Sequence, residues 1–169
     1  MDIAWIRLLL IRELTSFSQE LELFPDESLI WSIVPGISNS AGTLALHVCG
    51  NLQHFVGGVL GGTGYVRDRD LEFSARGVSR AALSAELQKT IQVVDTVLPR
   101  LSEQVLSTDF PAVPGGIRVP TGLFLLHLSA HLAHHLGQAG YLRRVLSGEN
   151  RSSGAIAIKA LFGSPSSPA

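Results

Sequence analysis

The sequence predicts an all-α protein, a four-helix bundle with long connections. Apolar residues recur at the three- and four-residue spacing of a helix in four separate segments, and these segments lack the two-residue period of a strand. A length of 169 residues with 46% hydrophobic residues is enough for one well-buried domain but short for two. These observations favour helices packed around one core over any sheet architecture.

The first two helices have identifiable starts. The first is predicted between Asp2 and Phe24, with Asp2 as its cap. Prolines and a glycine then interrupt the pattern. The second helix begins after a polar cap within residues 38–40 and reaches about Leu60, where a run of glycines ends it.

The second half of the chain contains two more helices. A charged connection at 65–76 precedes a third helix, which Ser79 caps and which runs to about Leu106, kinked or divided at Pro99. Residues 107–119 are rich in proline and glycine and are predicted to form a loop.

The fourth helix has Pro120 in its first turn and reaches about Leu146. Residues 1–150 are therefore predicted to form the bundle domain. Residues 151–169 form a tail, in which 155–162 is expected to make a short docked helix. The connections are longer than those of a simple up-and-down bundle, so some are expected to cross over the bundle or to shape a pocket.

Composition excludes several classes of protein. Thirteen basic and 14 acidic residues give a net charge of −1, which argues against nucleic acid as a partner. Cys49 is the only cysteine, so neither an internal disulfide nor a multi-thiolate zinc site can form, and a cytoplasmic location is expected. Charged residues interrupt the N-terminal apolar run, which is not typical of an export signal.

The chain is nevertheless apolar for its size. The longest apolar stretch, 123–136, contains four histidines and is too short to span a membrane, which needs about 20 residues. A mean hydropathy of +0.29 predicts either a thoroughly buried helical core or an apolar self-association face. A homodimer is therefore expected.

Histidine is the unusual residue of this sequence. Of six histidines, four fall within nine residues of the fourth predicted helix: His127, His131, His134, His135. Each helical residue advances by about 100°, so the last three lie at about 40°, −20° and 80° from the first, on one side of the helix. Imidazoles in an apolar segment need partners, because burying them unpaired is costly.

The histidine spacing is typical of a metal site. Residues four apart stand one turn above each other, so either His131 with His135 or His127 with His131 can direct two nitrogens at one ion. The third ligand must come from another segment, and His47 lies near the middle of the second predicted helix, at a matching depth. The alternative is that these histidines are solvated or pack individually.

Two neighbours of His47 are not expected to bind the same ion. His54 is about 10.5 Å further along the helix axis, and it lines the mouth of the pocket or lies on the surface. Cys49 projects to nearly the opposite side of the helix, where a small buried apolar role is expected.

Three segments carry a resemblance to a known family. SNSAGTLALHVCGNLQHF (38–55), HLAHHLGQAGYLRR (131–144) and the charged RDRDLEF stretch (67–73) resemble the DinB/YfiT-like superfamily of metalloenzymes. A tryptophan, a proline and a glycine that precede the first segment add to the likeness: Trp31, Pro35, Gly36. The resemblance covers most of the chain. It implies a four-helix bundle in which three histidines hold a divalent metal ion, most often nickel or zinc.

The resemblance also assigns roles residue by residue. It implies His47, His131 and His135 as the metal ligands, and it does not carry His127 or His134 into the ligand set. Four residues are expected to line the pocket or to support the ligands from behind, with Gln138 orienting a ligand or a bound water: Asn51, His127, His134, Gln138. No catalytic side chain is assigned.

The implied function follows from the ligand set. Three neutral imidazoles leave the ion with its full charge and at least one open coordination position. The superfamily resemblance implies a thiol-dependent S-transferase, in which a low-molecular-weight thiol such as bacillithiol, mycothiol or glutathione attacks a small electrophilic substrate as a metal-bound thiolate. Metal-assisted hydrolysis would use the same site. The other hypothesis is a noncatalytic stress-response protein that binds a metal or a small ligand.

Residues around the predicted site have simpler explanations. Arg143 and Arg144 are expected near the end of the fourth helix because basic side chains favour a helix C-terminus. Gly137 is expected to allow close helix approach. A solvated run of charges is the preferred interpretation of three acidic residues in the charged connection, although they could reach the site: Asp68, Asp70, Glu72.

Overall fold

The described part of the chain contains five α-helices and several 3₁₀ and π-helical segments. The computed structural model describes residues 2–154, 157, 158 and 161, and within these ranges there is an isolated β-bridge but no β-strand. The helices are α1 Ile3–Glu22, α2 Ala41–Leu52, α3 Arg69–Ser74, α4 Arg80–Val97 and α5 Thr121–Ser147. The all-α prediction is therefore confirmed.

The four long helices form the predicted bundle. α1 packs against α4 and α5, and α2 packs against the same two helices. Each helix buries its apolar face in the shared core, and burial contributes about 1.5–3 kcal/mol for each large side chain. Fully buried examples are Leu10, Leu14, Phe17, Val56, Leu87, Val94, Leu125 and Leu132.

Polar caps set the starts of three helices. The side chains of Asp2, Ser40 and Ser79 each accept a hydrogen bond from a backbone N–H in the first turn of α1, α2 and α4. Such a bond satisfies one of the amide groups that have no partner within the helix. α5 ends at Gly148, whose φ of 70° is a left-handed conformation that suits glycine.

The third predicted helix is shorter than expected. α4 ends at Val97 rather than near Leu106, and Pro99 lies in the 3₁₀ turn that follows at once. Proline has no backbone N–H and its ring collides with the preceding turn, so it divides the segment instead of kinking it. A second 3₁₀ turn at Glu103–Ser107 completes the connection.

Two other segments differ from the prediction in detail. The second predicted helix does reach Leu60, but α2 itself ends at Leu52 and the continuation, Gln53–Leu60, is π-helical. A π-helical stretch shifts the side chains that follow it around the helix axis, and such stretches are frequent at functional sites. The charged connection contains α3, a short helix that Asp68 caps through the N–H of Leu71.

The sequence predicts Arg143 as a basic residue that simply favours a helix C-terminus, but the structure gives it a different role. Its side chain is fully buried, and its Nε donates to Oε1 of Glu20 in α1 at 2.5 Å, where Glu20 is only 2% exposed. Gly140, one turn earlier, leaves room for this carboxylate, because a Cβ there would lie 3.3 Å from Glu20 Oε1. Arg144 instead lies over the ring of Tyr141.

One side chain of α5 contacts the segment that follows the helix. Arg143 also donates to the backbone oxygen of Arg151, which fixes the segment after α5. The short helix predicted at 155–162 lies outside the described residues, apart from 157, 158 and 161. No helix in the part of the chain described by the structure is long and apolar enough to cross a bilayer.

Candidate metal centre

Three histidines meet where α2 packs against α5. His47 is on α2, and His131 and His135 are on successive turns of α5. Nε2 of His131 lies 3.2 Å from Nε2 of His47 and 3.1 Å from Nε2 of His135. We call these residues the three-histidine cluster. Of the two pairings that the helical spacing allows, the structure brings His131 together with His135.

A buried carboxylate orients His47 from behind. Nδ1 of His47 donates to Oε2 of Glu72, on α3, at 2.9 Å. Arg67 donates to both oxygens of the same carboxylate, from Nε at 2.6 Å and from Nη2 at 2.7 Å. Gly50, one turn after His47, leaves the space for this carboxylate, because a Cβ there would lie 2.1 Å from Glu72 Oε1.

A glutamine orients the second imidazole. Nδ1 of His135 donates to Oε1 of Gln138 at 2.8 Å, one turn further along α5. Hydrogen bonds of this kind set the tautomer and the direction of a ligand histidine. The position of Gln138 behind a candidate ligand agrees with the expectation from the sequence.

These two tethers decide which nitrogens face the centre of the cluster. A carboxylate and an amide oxygen can only accept hydrogen bonds, so Nδ1 of His47 and Nδ1 of His135 carry the hydrogens and both Nε2 atoms present lone pairs. Nε2 of His131 can donate to only one of its two neighbours at a time. At least one of the close nitrogen pairs therefore consists of two acceptors, an arrangement that a cation between them stabilises.

Burial disfavours the charged forms of the two histidines on α5. Burial, reinforced by the neighbouring His135 and His47, lowers the pKa of His131 to about 4. Burial also lowers the pKa of His135. For Glu72, burial alone would raise the pKa, but the hydrogen bonds from Arg67 and His47 outweigh it, so the pKa of this carboxyl is lowered. Glu72 is therefore an anion at neutral pH, and it accepts a hydrogen bond from Nδ1 of His47.

The three-histidine cluster fits a divalent metal ion. Two nitrogens bound to one ion at about 2.0–2.1 Å lie no more than about 4.2 Å apart, and His131 meets this condition with both neighbours. The candidate ligand atoms of all three residues lie within 4.8 Å of one another. Imidazole nitrogens suit zinc, nickel, copper and iron alike.

A cavity opens on one side of the cluster. It has a volume of about 330 Å³ and lies between the end of α2, the start of α5 and the loop before α5. We call it the His131 cavity, because His131 lines it. Asn51 and His127 also line it. The remaining lining residues are Phe55, Pro114, Gly115, Val119, Phe124 and Leu128.

Two predicted residues of α5 lie away from the cavity. His134 is exposed and lines no part of the His131 cavity, although its ring centroid is 5.3 Å from that of His135. Gly137 is also exposed, and a Cβ there would have no neighbour within 4 Å. The close approaches are made by Gly50 and Gly140 instead, so the prediction for Gly137 is wrong.

Cys49 and His54, the two neighbours of His47 discussed above, are not members of the three-histidine cluster. Cys49 is buried, and burial raises the pKa of its thiol to about 12, so it is an inert apolar side chain as expected. His54 is half-buried against the ring of Phe55.

Glu72 is the site residue that the sequence interpretation placed wrongly. Its neighbours Asp68 and Asp70 are exposed, as expected for a solvated run, but Glu72 is only 6% exposed. Asp68 caps α3, and within this short helix Glu72 is the residue that is buried. One feature of the sequence pointed to this contact, namely the glycine three positions after His47, at Gly50.

Gly50→Ala should weaken metal binding without removing a ligand. The added methyl group would displace Glu72 and release Nδ1 of His47. Loss of a partner behind a ligand histidine typically costs about 10–100-fold in metal affinity. Titration of the metal-free protein with zinc, followed by calorimetry, measures this change.

Gly137→Ala is the matched control. It adds the same methyl group on α5, at a position where the new Cβ would have no neighbouring atom within 4 Å. Its zinc affinity should equal that of the unmodified protein. Unchanged affinity in a folded Gly50→Ala variant would contradict the role assigned to Glu72.

Comparison with known proteins places the chain in a family. A scan against protein-family models matches residues 9–139 to the DinB superfamily, a range that includes the whole three-histidine cluster. No curated protein and no solved structure matches the chain. Because the family match covers most of its length, this protein belongs to the DinB superfamily.

Proposed function

We propose that this protein is a divalent-metal-dependent enzyme that transfers a low-molecular-weight thiol to a small electrophilic substrate. The observation that carries the proposal is the position of His131, which belongs to the three-histidine cluster and also lines a cavity of about 330 Å³. A molecule in that cavity would lie beside the metal position. The superfamily resemblance supports thiol transfer as the reaction class.

The chain's own residues prepare the site in three ways. His47, His131 and His135 would hold the ion through neutral nitrogens, so its charge is not cancelled by its ligands. When bound, a divalent ion favours the ionised form of a thiol and so supplies a strong nucleophile near neutral pH. Glu72 and Gln138 hold two of the imidazoles in place.

The proposed reaction is a substitution at carbon. The thiol loses its proton to solvent, and its sulfur donates an electron pair to the electrophilic carbon to form a carbon–sulfur bond. The bond from that carbon to the leaving group breaks, and the leaving group departs with the electron pair. Apolar side chains of the His131 cavity would contact the substrate beside the reacting carbon.

The metal-loaded protein should accelerate thiol conjugation. A free thiol with a pKa of about 8.5 is only a few per cent ionised at pH 7. Full ionisation, partly offset by lower nucleophilicity, is expected to raise the rate about tenfold or more. The measurement is product formation from bacillithiol, mycothiol or glutathione with 1-chloro-2,4-dinitrobenzene and para-nitrobenzyl chloride.

Two controls define the result. Chelator treatment and His135→Ala should both return the rate to the uncatalysed value, whereas His134→Ala, which changes an exposed histidine next in the chain, should not. Metal binding without any metal-dependent conjugate across the panel would contradict thiol transfer and favour a noncatalytic binding protein. Release of the hydrolysed electrophile would instead indicate metal-assisted hydrolysis.

A further inference from the structure

The walls of the His131 cavity are informative about the molecule that it can bind. None of its lining residues is a Lys, Arg, Asp or Glu. The apolar walls come from Phe55, Phe124, Val119 and Leu128. Transfer of a charged group from water into such surroundings is strongly unfavourable. Low-molecular-weight thiols with charged amino or carboxylate groups are therefore poor occupants, and an uncharged molecule is favoured.

The wall formed by α5 consists of rings that are nearly parallel. Phe124 and His127 stack with ring centroids 5.9 Å apart and an interplanar angle of 18°. His127 and His131 continue the row at 6.1 Å and 30°. Phe55 contacts Phe124 edge to face, with ring centroids 4.9 Å apart, and also lines the cavity. Flat aromatic ligands pack well against such surfaces in stacked or edge-to-face arrangements.

The size of the cavity agrees with a ring-containing ligand. An apolar protein cavity of about 150 Å³ is known to hold benzene. The His131 cavity, at about 330 Å³, has room for one substituted ring and a small polar group. This volume lies at the lower end of the range for small-molecule sites.

One polar side chain in this cavity lacks a partner. Asn51 lines the cavity but is only 8% exposed, and among the described residues its Oδ1 is buried with no hydrogen-bond partner. A buried amide oxygen without a partner is unfavourable. Rotation of the amide about χ2 exchanges its oxygen and its nitrogen, so either end can face a ligand. A hydroxyl, carbonyl or amide group on a ligand would satisfy it.

We propose that the His131 cavity binds an uncharged, ring-containing molecule, with its ring against the Phe124–His127–His131 row and a hydroxyl, carbonyl or amide group hydrogen-bonded to Asn51. This inference rests on the proposed function in one respect, since it identifies the occupant as the electrophilic substrate and not the thiol. The reacting carbon then lies on the side of the cavity formed by His131.

Binding can be tested separately from catalysis with an unreactive probe. The probe is para-nitrobenzyl alcohol, which has the ring and the hydroxyl group but no leaving group. It is added to the metal-free full chain, where no probe can coordinate a metal ion, and binding is followed by ligand-observed NMR titration. Its charged counterpart is para-(hydroxymethyl)benzoate. The uncharged probe should bind and the carboxylate should bind at least about tenfold more weakly, a difference of about 1.4 kcal/mol.

Three variants locate the site of binding. Asn51→Leu replaces the amide with an apolar group of similar size and should weaken binding of the alcohol about tenfold. Val119→Phe fills the cavity from the loop and should abolish binding, without changing a helix. Ile117→Phe is the matched control, because it makes a similar enlargement on the same loop at a residue that is exposed and lines no part of the cavity. It should bind like the unmodified protein.

The outcomes separate this inference from the proposed function. Absence of binding by the alcohol, equal binding of the carboxylate, or full binding by Val119→Phe would overturn the inference, even if thiol conjugation is observed. Binding that follows the predicted order of variants, together with no conjugation by any thiol, would support the cavity assignment and contradict the thiol-transferase proposal.

Discussion

His131→Ala should abolish stoichiometric binding of a divalent metal ion. His131 is the central member of the cluster, since its Nε2 lies within 3.2 Å of Nε2 of both other histidines. Its removal leaves two nitrogens from different helices and loses the pair of imidazoles on adjacent turns of α5. Loss of a residue that hydrogen-bonds to a ligand typically lowers metal affinity by up to about 100-fold. Loss of the ligand His131 itself is expected to lower it further.

The measurement combines elemental analysis of purified protein with zinc and nickel titration of the metal-free chain. His47→Ala and His135→Ala should give similar losses, because each removes one of three ligands. His134→Ala is the control, since this histidine is exposed and lies outside the cluster. If a folded His131→Ala variant retains one tightly bound ion per chain, the ligand assignment is wrong.

Arg143→Leu should be strongly destabilising although it lies outside the site. The substitution leaves the Glu20 carboxylate buried in the core without its cationic partner, because Glu20 is 2% exposed and accepts from Arg143 Nε. Removing one partner of a buried ion pair typically costs about 3–5 kcal/mol. Urea denaturation of the metal-free chain should show a correspondingly lower free energy of unfolding.

A double variant separates the charge from the packing. In Glu20→Leu/Arg143→Leu no charge remains buried, so most of the lost stability should return, because apolar replacement of a buried pair is often neutral. Asp95→Asn is the control, because Asp95 forms a solvent-accessible ion pair with Arg7. This substitution should lower the free energy of unfolding by only about 0–1 kcal/mol. Equal stability of Arg143→Leu and Asp95→Asn would contradict the structural role of the buried pair.

The fold could be predicted because its determinants are local. The apolar spacing of the four helices and the caps at Asp2, Ser40 and Ser79 depend on residues that are close in the chain. The end of α4 was less certain, because Pro99 is compatible with either a kink or a break. Only the packing of the next segment as 3₁₀ turns selects the break.

The site could be predicted in part for the same reason. His131 and His135 are four residues apart, so helical geometry alone places them on adjacent turns. The choice of His47 as the third member depended on its matching depth in the second predicted helix and on the family resemblance, because nothing local relates α2 to α5. The prediction that Glu72 is solvated is wrong, although a run of charges in a connection is usually solvated. Its burial depends on hydrogen bonds from Arg67 and on the space at Gly50, neither of which is a local feature of the charged run.

The sequence by itself determined the helical class, the starts of the helices and an excess of histidine on one helix. The tertiary structure alone decided which charged residues are buried, as with Glu72 beside His47 and Arg143 beside Glu20. It also decided that the row of rings on α5 faces a cavity that contains Asn51. The physical reason is that helix periodicity arises between near neighbours, whereas a buried charge is stable only with a partner that packing brings from elsewhere in the chain.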